Sequence, residues 1–356
     1  MSVSDLLNSS YVKWMDGAGP ESDIVISSRI RLARNLSNIP FPHLLDQEKG
    51  QQCIDIITEA WKKAADKELK GMELITFDQL TALDRQILVE KHLTSPNHVT
   101  TNSSFRGLLV NGDGSAAIMI NEEDHLRLQC LLPGLQLDEC YRCLQLLDDG
   151  LERSLSYAFD ERRGYLTSCP TNVGTGMRAS VMLHLPAIAM AGQTQMIFQN
   201  ISQLGLTVRG LYGEGTEIVG NLYQLSNQIT LGQTEEDITS NLTTIAKQIV
   251  DQERLVRNNL KKEMNYQLED RIGRAYGTLT NARVISSNEA MTLLSDVRLG
   301  IDLGIIKSIK PFALNEMEVA IRPAHLQKKV GQEMDPLHRD VKRAEVIKEK
   351  FGQQVS

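Results

Sequence analysis

Residues 169–178 read Cys169-Pro170-Thr171-Asn172-Val173-Gly174-Thr175-Gly176-Met177-Arg178. A thiol, a proline, a turn-forming asparagine, two glycines and an arginine sit together, just ahead of an apolar stretch, Ala179–Ala191, whose pattern predicts a helix. Glycine tolerates positive φ and lets backbone approach a ligand closely. A helix start presents unpaired N–H groups that suit an anion. The segment therefore reads as a loop built to hold something charged, against the plainer reading of an ordinary strand–turn–helix joint.

Working outward, Tyr165–Cys169 reads as a short strand entering the loop. Residues 137–158 form a helix with Leu137, Tyr141, Leu144, Leu151, Leu155 and Ala158 on one face. Strand-like runs occur at Gly107–Val110, Ala116–Ile120 and Leu126–Leu132, and Asn111-Gly112-Asp113-Gly114 supplies a hairpin turn between the first two. Farther upstream, 46–70 and Leu83–Leu93 read as helices, Ile24–Arg34 as an apolar run that becomes alternately basic, and 1–23 as an arm. Downstream, Leu206–Leu211 and Ile218–Leu225 make a strand pair, and 235–260 a helix capped by Thr234 and Asp237. Beyond about residue 260 strand signals fade and helical patterns take over at 267–279, 287–303, 315–322 and 339–350. The expected class is α+β: an antiparallel sheet flanked by helices over 1–258, then a mostly helical domain over 259–356.

With 356 residues, 41 % apolar and 23 % charged, the chain has the composition of a soluble globular protein. A net charge of −7 argues against non-specific nucleic-acid binding while permitting a local basic site. Five cysteines, an odd number, suggest no disulfide framework and point to a reducing cytosol. Cys140 and Cys143 have C-x-x-C spacing in a helical pattern without a second pair, so a core role is expected; no metal site is expected. The N-terminus lacks a basic start followed by an apolar run, and Val181–Ala191 is too short to span a bilayer.

Five arginines stand in loop or strand-end contexts: Arg29, Arg31, Arg127, Arg178 and Arg209. Guanidinium forks suit phosphate oxygens, although each alone reads as a surface ion-pair residue. Each falls within a longer phrase: Ser27-Ser28-Arg29-Ile30-Arg31, Asn121-Glu122-Glu123-Asp124-His125-Leu126-Arg127, the 169–178 loop, and Arg209-Gly210-Leu211-Tyr212-Gly213-Glu214. In that order these closely resemble signatures of the phosphagen kinases, the creatine and arginine kinase family, over about residues 24–256. The resemblance implies that the five arginines clamp the triphosphate of ATP. It places Ser27–Arg31, Arg127, Arg178-Ala179-Ser180-Val181-Met182 and Arg209–Glu214 along the nucleotide, His92 against its adenine or ribose, and Mg²⁺ on its phosphates. Neither G-x-x-x-x-G-K-[ST] nor H-R-D with D-F-G occurs, which excludes a P-loop ATPase and a conventional protein kinase.

The resemblance also makes Glu123 and Glu214 the carboxylates that hold a guanidinium acceptor. An arginine side chain has a pKa above 12, so freeing its lone pair near pH 7 beforehand costs roughly 7–9 kcal/mol. A carboxylate that takes the proton as the N–P bond forms lowers that cost. Glu123 is assigned as base and Glu214 as second clamp, with adjacent Glu122 able to share either role. Cys169 is expected beside the guanidinium as a substrate-site residue, not a covalent nucleophile.

Two departures narrow the resemblance. Small-molecule phosphagen kinases carry a helical domain before the Ser-x-Arg-x-Arg strand, whereas 26 residues precede Ser27 here; the expected result is an open acceptor site that admits an arginine projecting from a protein. The C-terminal part carries Arg339-Asp340-Val341-Lys342-Arg343-Ala344, in which Arg339 and Arg343 share a helix face and Asp340 supplies a carboxylate, a set suited to phosphoarginine. Both features resemble the bacterial protein arginine kinase family. That likeness implies a phosphoarginine-binding allosteric site at 339–344, a homodimer formed through the C-terminal domain and a bacterial cytosolic setting. It further implies a zinc-binding activator protein, protein substrates that include a transcriptional repressor, and tagging of proteins for a Clp protease. Alternatives are a phosphoarginine-binding adaptor with a vestigial nucleotide site, and a kinase of small guanidines.

Overall fold

The computed structural model describes residues 3–100, 104–210 and 219–355. Its centre is an antiparallel sheet of strands β1 (Val25–Arg34), β2 (Met72–Thr76), β3 (Gly107–Asn111), β4 (Ala116–Ile120), β5 (Leu126–Pro133), β6 (Met177–His184), β7 (Leu206–Arg209) and β8 (Leu222–Asn227). The order across it is β2-β3-β4-β5-β1-β6-β8-β7. The β3–β4 turn forms where the sequence places it. Gly114 takes φ +71°, and its N–H donates to Asn111 O at 3.1 Å.

Strand alternation sorts side chains between two faces. One face presents Ile30, Leu32, Leu128, Cys130, Ala179, Val181 and Leu225 to helices α1 (Gln47–Lys63), α3 (Leu137–Glu152) and α4 (Glu235–Glu263). Helix α4 starts with the expected reciprocal cap between Thr234 and Asp237. Helix α2 (Ala82–Glu90) buries Leu88 in one apolar cluster with Ile75 of β2 and Phe77. The expected helix over 46–70 breaks into Gln47–Lys63 and Lys67–Lys70. That over 137–158 ends at Glu152, because the following chain turns to bridge Tyr157 to Leu36.

The largest difference from expectation lies just after the 169–178 loop. Residues 177–184 are not a helix but the central strand β6, hydrogen-bonded to β1 on one side and β8 on the other. Met177, Ala179, Val181 and Leu183 alternate with Arg178, Ser180, Met182 and His184, but from Val181 the apolar stretch continues to Ala191 and masks the two-residue period. A helix begins only at Pro186 and ends at Met190. Anion binding at this loop therefore has no helix N-terminus behind it and falls to side chains.

The opposite face of the sheet carries the C-terminal helices α5 (Asn265–Asn281), α6 (Ser287–Asp302), α7 (Pro311–Ala320), α8 (Pro323–Val330) and α9 (Pro336–Val355). Leu108, Val110, Met119, Leu131 and Leu222 of the sheet share one apolar cluster with Leu279, Leu294, Val297, Leu314, Met317 and Ile347. Residue 258 lies within α4, and the helices beyond it are packed onto the sheet through that shared core. Glu90 reinforces the join, accepting from the N–H groups of Ala324 and His325 at 2.8 and 3.1 Å. Among the described residues no helix is long and apolar enough to cross a membrane.

Candidate active site

The face that carries the C-terminal helices is polar in the middle. Register brings Arg31 opposite Arg178 and Arg29 opposite Ser180, Ala33 opposite Arg127, and Gln224 opposite Arg209. All of these except Ser180, with Glu122, Glu123, Cys169, Asn172 and Arg106, line a cleft of about 570 Å³. All five arginines singled out in the sequence thus meet there.

Among the described residues, two of these arginines meet a side-chain acceptor in the cleft. Arg127 donates to Glu122 at 2.7 Å, and Arg29 donates to Gln224 Oε1 at 2.8 Å. Loss of water, then repulsion from Arg127 and Arg178, lowers Arg29 to about 10. Arg31 is pushed well down by burial and by Arg29, Arg127 and Arg178, against a weaker pull from Glu122. Its buried Nε has no hydrogen-bond partner. A guanidinium does not shed its proton in a protein, so these shifts measure crowding that a polyanion would relieve.

The two adjacent glutamates diverge. Burial alone would raise Glu122, but Arg127 and hydrogen bonds from Ser95 and the Glu123 N–H outweigh it and bring it to about 2. Glu123 is exposed in the cleft. Partial loss of water, helped by Glu122 and Asp124, raises it against the pull of Arg127 and Arg178. One carboxylate is pinned as a counterion and its neighbour is left free to accept a proton.

The loop is held by parts the sequence did not announce. Asp124 accepts from Asn35 Nδ2 at 2.6 Å and from Ser168 N–H at 2.7 Å, tying the Glu122–Glu123 turn to the start of the loop. Thr230 Oγ1 donates to Thr171 O and Val173 O at 3.0 and 2.7 Å. Gly174 (φ +115°) and Gly176 (φ +65°) are obligatory: a Cβ on either would lie 2.6 Å from the carbonyl oxygen of Thr230 or Ala33. Cys169 sits half-buried with Sγ 3.0 Å from Thr171 Oγ1.

The remaining sequence assignments divide. Ser27, Ser180, Met182 and His92 line a narrow crevice that shares Arg29 and Gln224 with the cleft. The His92 ring meets Trp14 edge-on at 5.6 Å. Desolvation first, then Arg29 and Arg322, lowers it to about 3, so the ring is neutral. Ile30, Ala179 and Val181 turn to the other face, into the helix-covered core. Ser28 turns with them, donating to Gly134 O and accepting from Gln136 N–H. These four do not line the cleft with their side chains. Gly210 is buried at the end of β7, whereas Leu211, Tyr212, Gly213 and Glu214 lie outside the described residues. In the C-terminal part, Arg339 lines a separate cleft with Gln86, Arg322 and Gln332. Arg343 is buried and donates to Ile321 O, Ile285 O and Asp340. Val341 and Lys342 are half-buried and Ala344 is buried. The two arginines share a helix face, but one guanidinium is spent inside the fold. Sequence reasoning missed Ser95, Arg106, Asn35 and Gln224. Of these, only Asn35 lay close to a quoted phrase.

Residues 52–256 match the family described as ATP:guanido phosphotransferase, C-terminal catalytic domain, and residues 265–356 match the Protein-arginine kinase McsB C-terminal domain. The protein-arginine kinase of Syntrophomonas wolfei is 66 % identical over 99 % of this chain and 98 % of its own. That of Desulforamulus reducens is 51 % identical over 99 % of each. Among solved structures, the taurocyamine kinase of Schistosoma mansoni superimposes with TM-score 0.61 at 25 % identity, over 71 % of this chain and 36 % of that one. A lombricine kinase gives TM-score 0.58 over 71 % and 73 %.

Proposed function

The chain belongs to the protein-arginine kinase family of ATP:guanido phosphotransferases, and from that premise we propose that its cleft moves the γ-phosphoryl group of ATP onto an arginine side chain of a protein, with Glu123 as the base. A guanidinium nitrogen of the acceptor attacks the γ-phosphorus. The N–P bond forms as the bond to the β–γ bridging oxygen breaks, ADP departs with that electron pair, and the proton on the attacking nitrogen passes to the Glu123 carboxylate. The observation that carries this reading is the free, raised Glu123 in the same cleft as five arginines.

The arginines have two tasks. They hold the phosphates in line with the acceptor, and they stabilise charge that gathers on the phosphoryl oxygens and the leaving oxygen. The orphaned Nε of Arg31 fits a phosphate oxygen. Glu122 does not compete for the acceptor, since Arg127 and Ser95 engage it. Among the described residues no cluster of three or more His, Cys, Asp or Glu side chains fits a metal ion. Mg²⁺ bound with the nucleotide would neutralise part of the phosphate charge.

Cys169, at the cleft wall, would flank the guanidinium, and Glu214 would be the second clamp. Both assignments rest on the family pattern. The same holds for a phosphoarginine site at Arg339–Ala344, with Arg339 the member open to its cleft. It holds too for dimer formation, a stress-response role in the bacterial cytosol, the zinc-binding activator, the repressor substrate and the Clp protease. The test is phosphosite mapping at neutral pH, where the P–N bond survives. With ATP and an unstructured protein, phosphoarginine should form on the protein. Robust turnover of free arginine instead would favour a small-guanidine kinase, and no transfer at all an adaptor.

A further inference from the structure

The crevice beside the arginine cleft is built by both parts of the chain. The sheet face contributes Ile26, Leu131, Met182 and Leu222, the N-terminal segment contributes Trp14, the residue two past α2 contributes His92, and the C-terminal part contributes Glu318 and Val319 of α7 with Arg322 just beyond it. Arg29 and Gln224 belong to crevice and cleft alike. A nucleotide whose phosphates lie on the arginines therefore has its nucleoside directed toward α7. The walls are mostly apolar with two flat rings, the composition of a seat for a heteroaromatic base.

Most polar groups around this crevice are committed within the protein. Trp14 Nε1 donates to Lys91 O, Glu90 caps α8, and Arg322 donates to Glu318 O and meets Met291 Sδ. The Glu318 carboxylate is different. Arg298 and Arg322 act on it only through their charge, and burial raises its pKa over their pull. The free space is about 30 Å³, room for a water molecule and not for a base, so seating a nucleoside requires one of these walls to yield.

We propose that α7 is the outer wall of the nucleoside seat, that the Glu318 carboxylate accepts a hydrogen bond from the bound nucleoside, and that nucleotide binding displaces α7 and so reaches the C-terminal helices. The donor is the 6-amino group of the purine or a ribose hydroxyl. This rests on the reading of the arginine cleft as an ATP site and adds to it a residue outside the phosphotransferase half.

Three nucleotides separate the cases. Calorimetric Kd values are measured for ADP, IDP (carbonyl in place of the 6-amino group) and 2′-deoxyADP on the full chain, alongside KM and kcat for the triphosphates. Wild type should bind ADP about tenfold more tightly than whichever analogue lacks the donor, the scale of one hydrogen bond to a charged acceptor. Glu318→Ala should erase that preference, raising KM for ATP more than it lowers kcat. Glu318→Gln should restore part of the preference if the hydroxyl is the donor. If the amine is, it should invert the preference toward IDP, because the amide offers a donor to the carbonyl. ADP should also change hydrogen exchange of residues 311–322 in wild type. Unchanged nucleotide ratios in Glu318→Ala, with 311–322 unmoved by ADP, would overturn the inference while leaving the cleft reading intact, provided Arg29→Ala abolishes ADP binding. Failure of wild type to bind any of the three nucleotides would overturn both.

Discussion

Two sets of buried arginines in this molecule differ in how their charge is met. Arg34 gives Nε and Nη2 to Asp148 at 2.9 and 2.7 Å and Nη1 to Ala33 O and Thr175 O, and it stacks on Tyr165 at 3.4 Å. Arg257 is met by Glu253, Asp302 and two carbonyls. Across the sheet, Arg29, Arg31, Arg127 and Arg178 repel one another, and among the described residues Arg127 is paired with Glu122. A structural arginine is folded together with its anions. The cleft arginines are held in place by strand register, and their anion is to be delivered. Function follows from the incomplete set.

The contrast is broken most sharply by substitution in each set. Arg31→Ala should lower kcat/KM for phosphotransfer by about a thousandfold, as loss of a phosphate-stabilising cation does, while thermal melting barely falls, since its buried Nε has no hydrogen-bond partner and its loss ends repulsion with Arg29, Arg127 and Arg178. Steady-state kinetics and calorimetric melts read both. Arg34→Ala should do the reverse. It strands Asp148 in the core at a cost of about 3–5 kcal/mol, visible as a lower denaturant midpoint, with nucleotide affinity kept in whatever fraction remains folded.

The two glutamates sharpen the same comparison through pH. Glu123 must be ionised to take a proton, and its pKa is raised from 4.5. The acid limb of kcat/KM should therefore lie above pH 4.5. Glu122 runs the other way: its folded pKa is about 2, so its stabilisation is full above 4.5 and lost as pH falls toward 2. His92, neutral when folded with a pKa near 3 against 6.5 when free, stabilises the fold above pH 6.5 and loses that effect between those values. Urea titrations across pH 7 to 3 measure both contributions. The smallest effect belongs to the C-terminal helix. Asp340→Ala removes one of the acceptors of Arg343 and should cost about 1 kcal/mol in chemical denaturation, leaving the ADP Kd unmoved. A matching loss of ADP affinity would mean that this helix supports the nucleotide site.

How far the sequence could be read follows from the kind of signal each feature leaves. Arg29, Arg31, Arg127, Arg178 and Arg209 were legible because each sits in a phrase whose other letters fix it. The β3–β4 hairpin and the Thr234 cap were legible from local turn and cap chemistry. Strand β6 was not: Met177, Ala179, Val181 and Leu183 alternate with Arg178, Ser180, Met182 and His184, but the apolar stretch that starts at Val181 runs on through the helix at Pro186 and hides that period. Nor was the division of Ser27–Arg31 between two faces, which needs strand register rather than motif. Asp124 joining Asn35 to Ser168, and α7 walling the crevice by His92, join residues far apart in the chain and leave no local pattern.

The central claim, that the cleft couples an anion-seeking arginine set to one proton-accepting carboxylate, is tested most directly by Glu123→Gln. ADP affinity by calorimetry and phosphoarginine formation by neutral-pH mass spectrometry are measured on the same preparation. The expected result is an ADP Kd within about threefold of wild type and phosphotransfer lowered at least about a hundredfold. Phosphoarginine formed at the wild-type rate, with ADP bound as before, would contradict it.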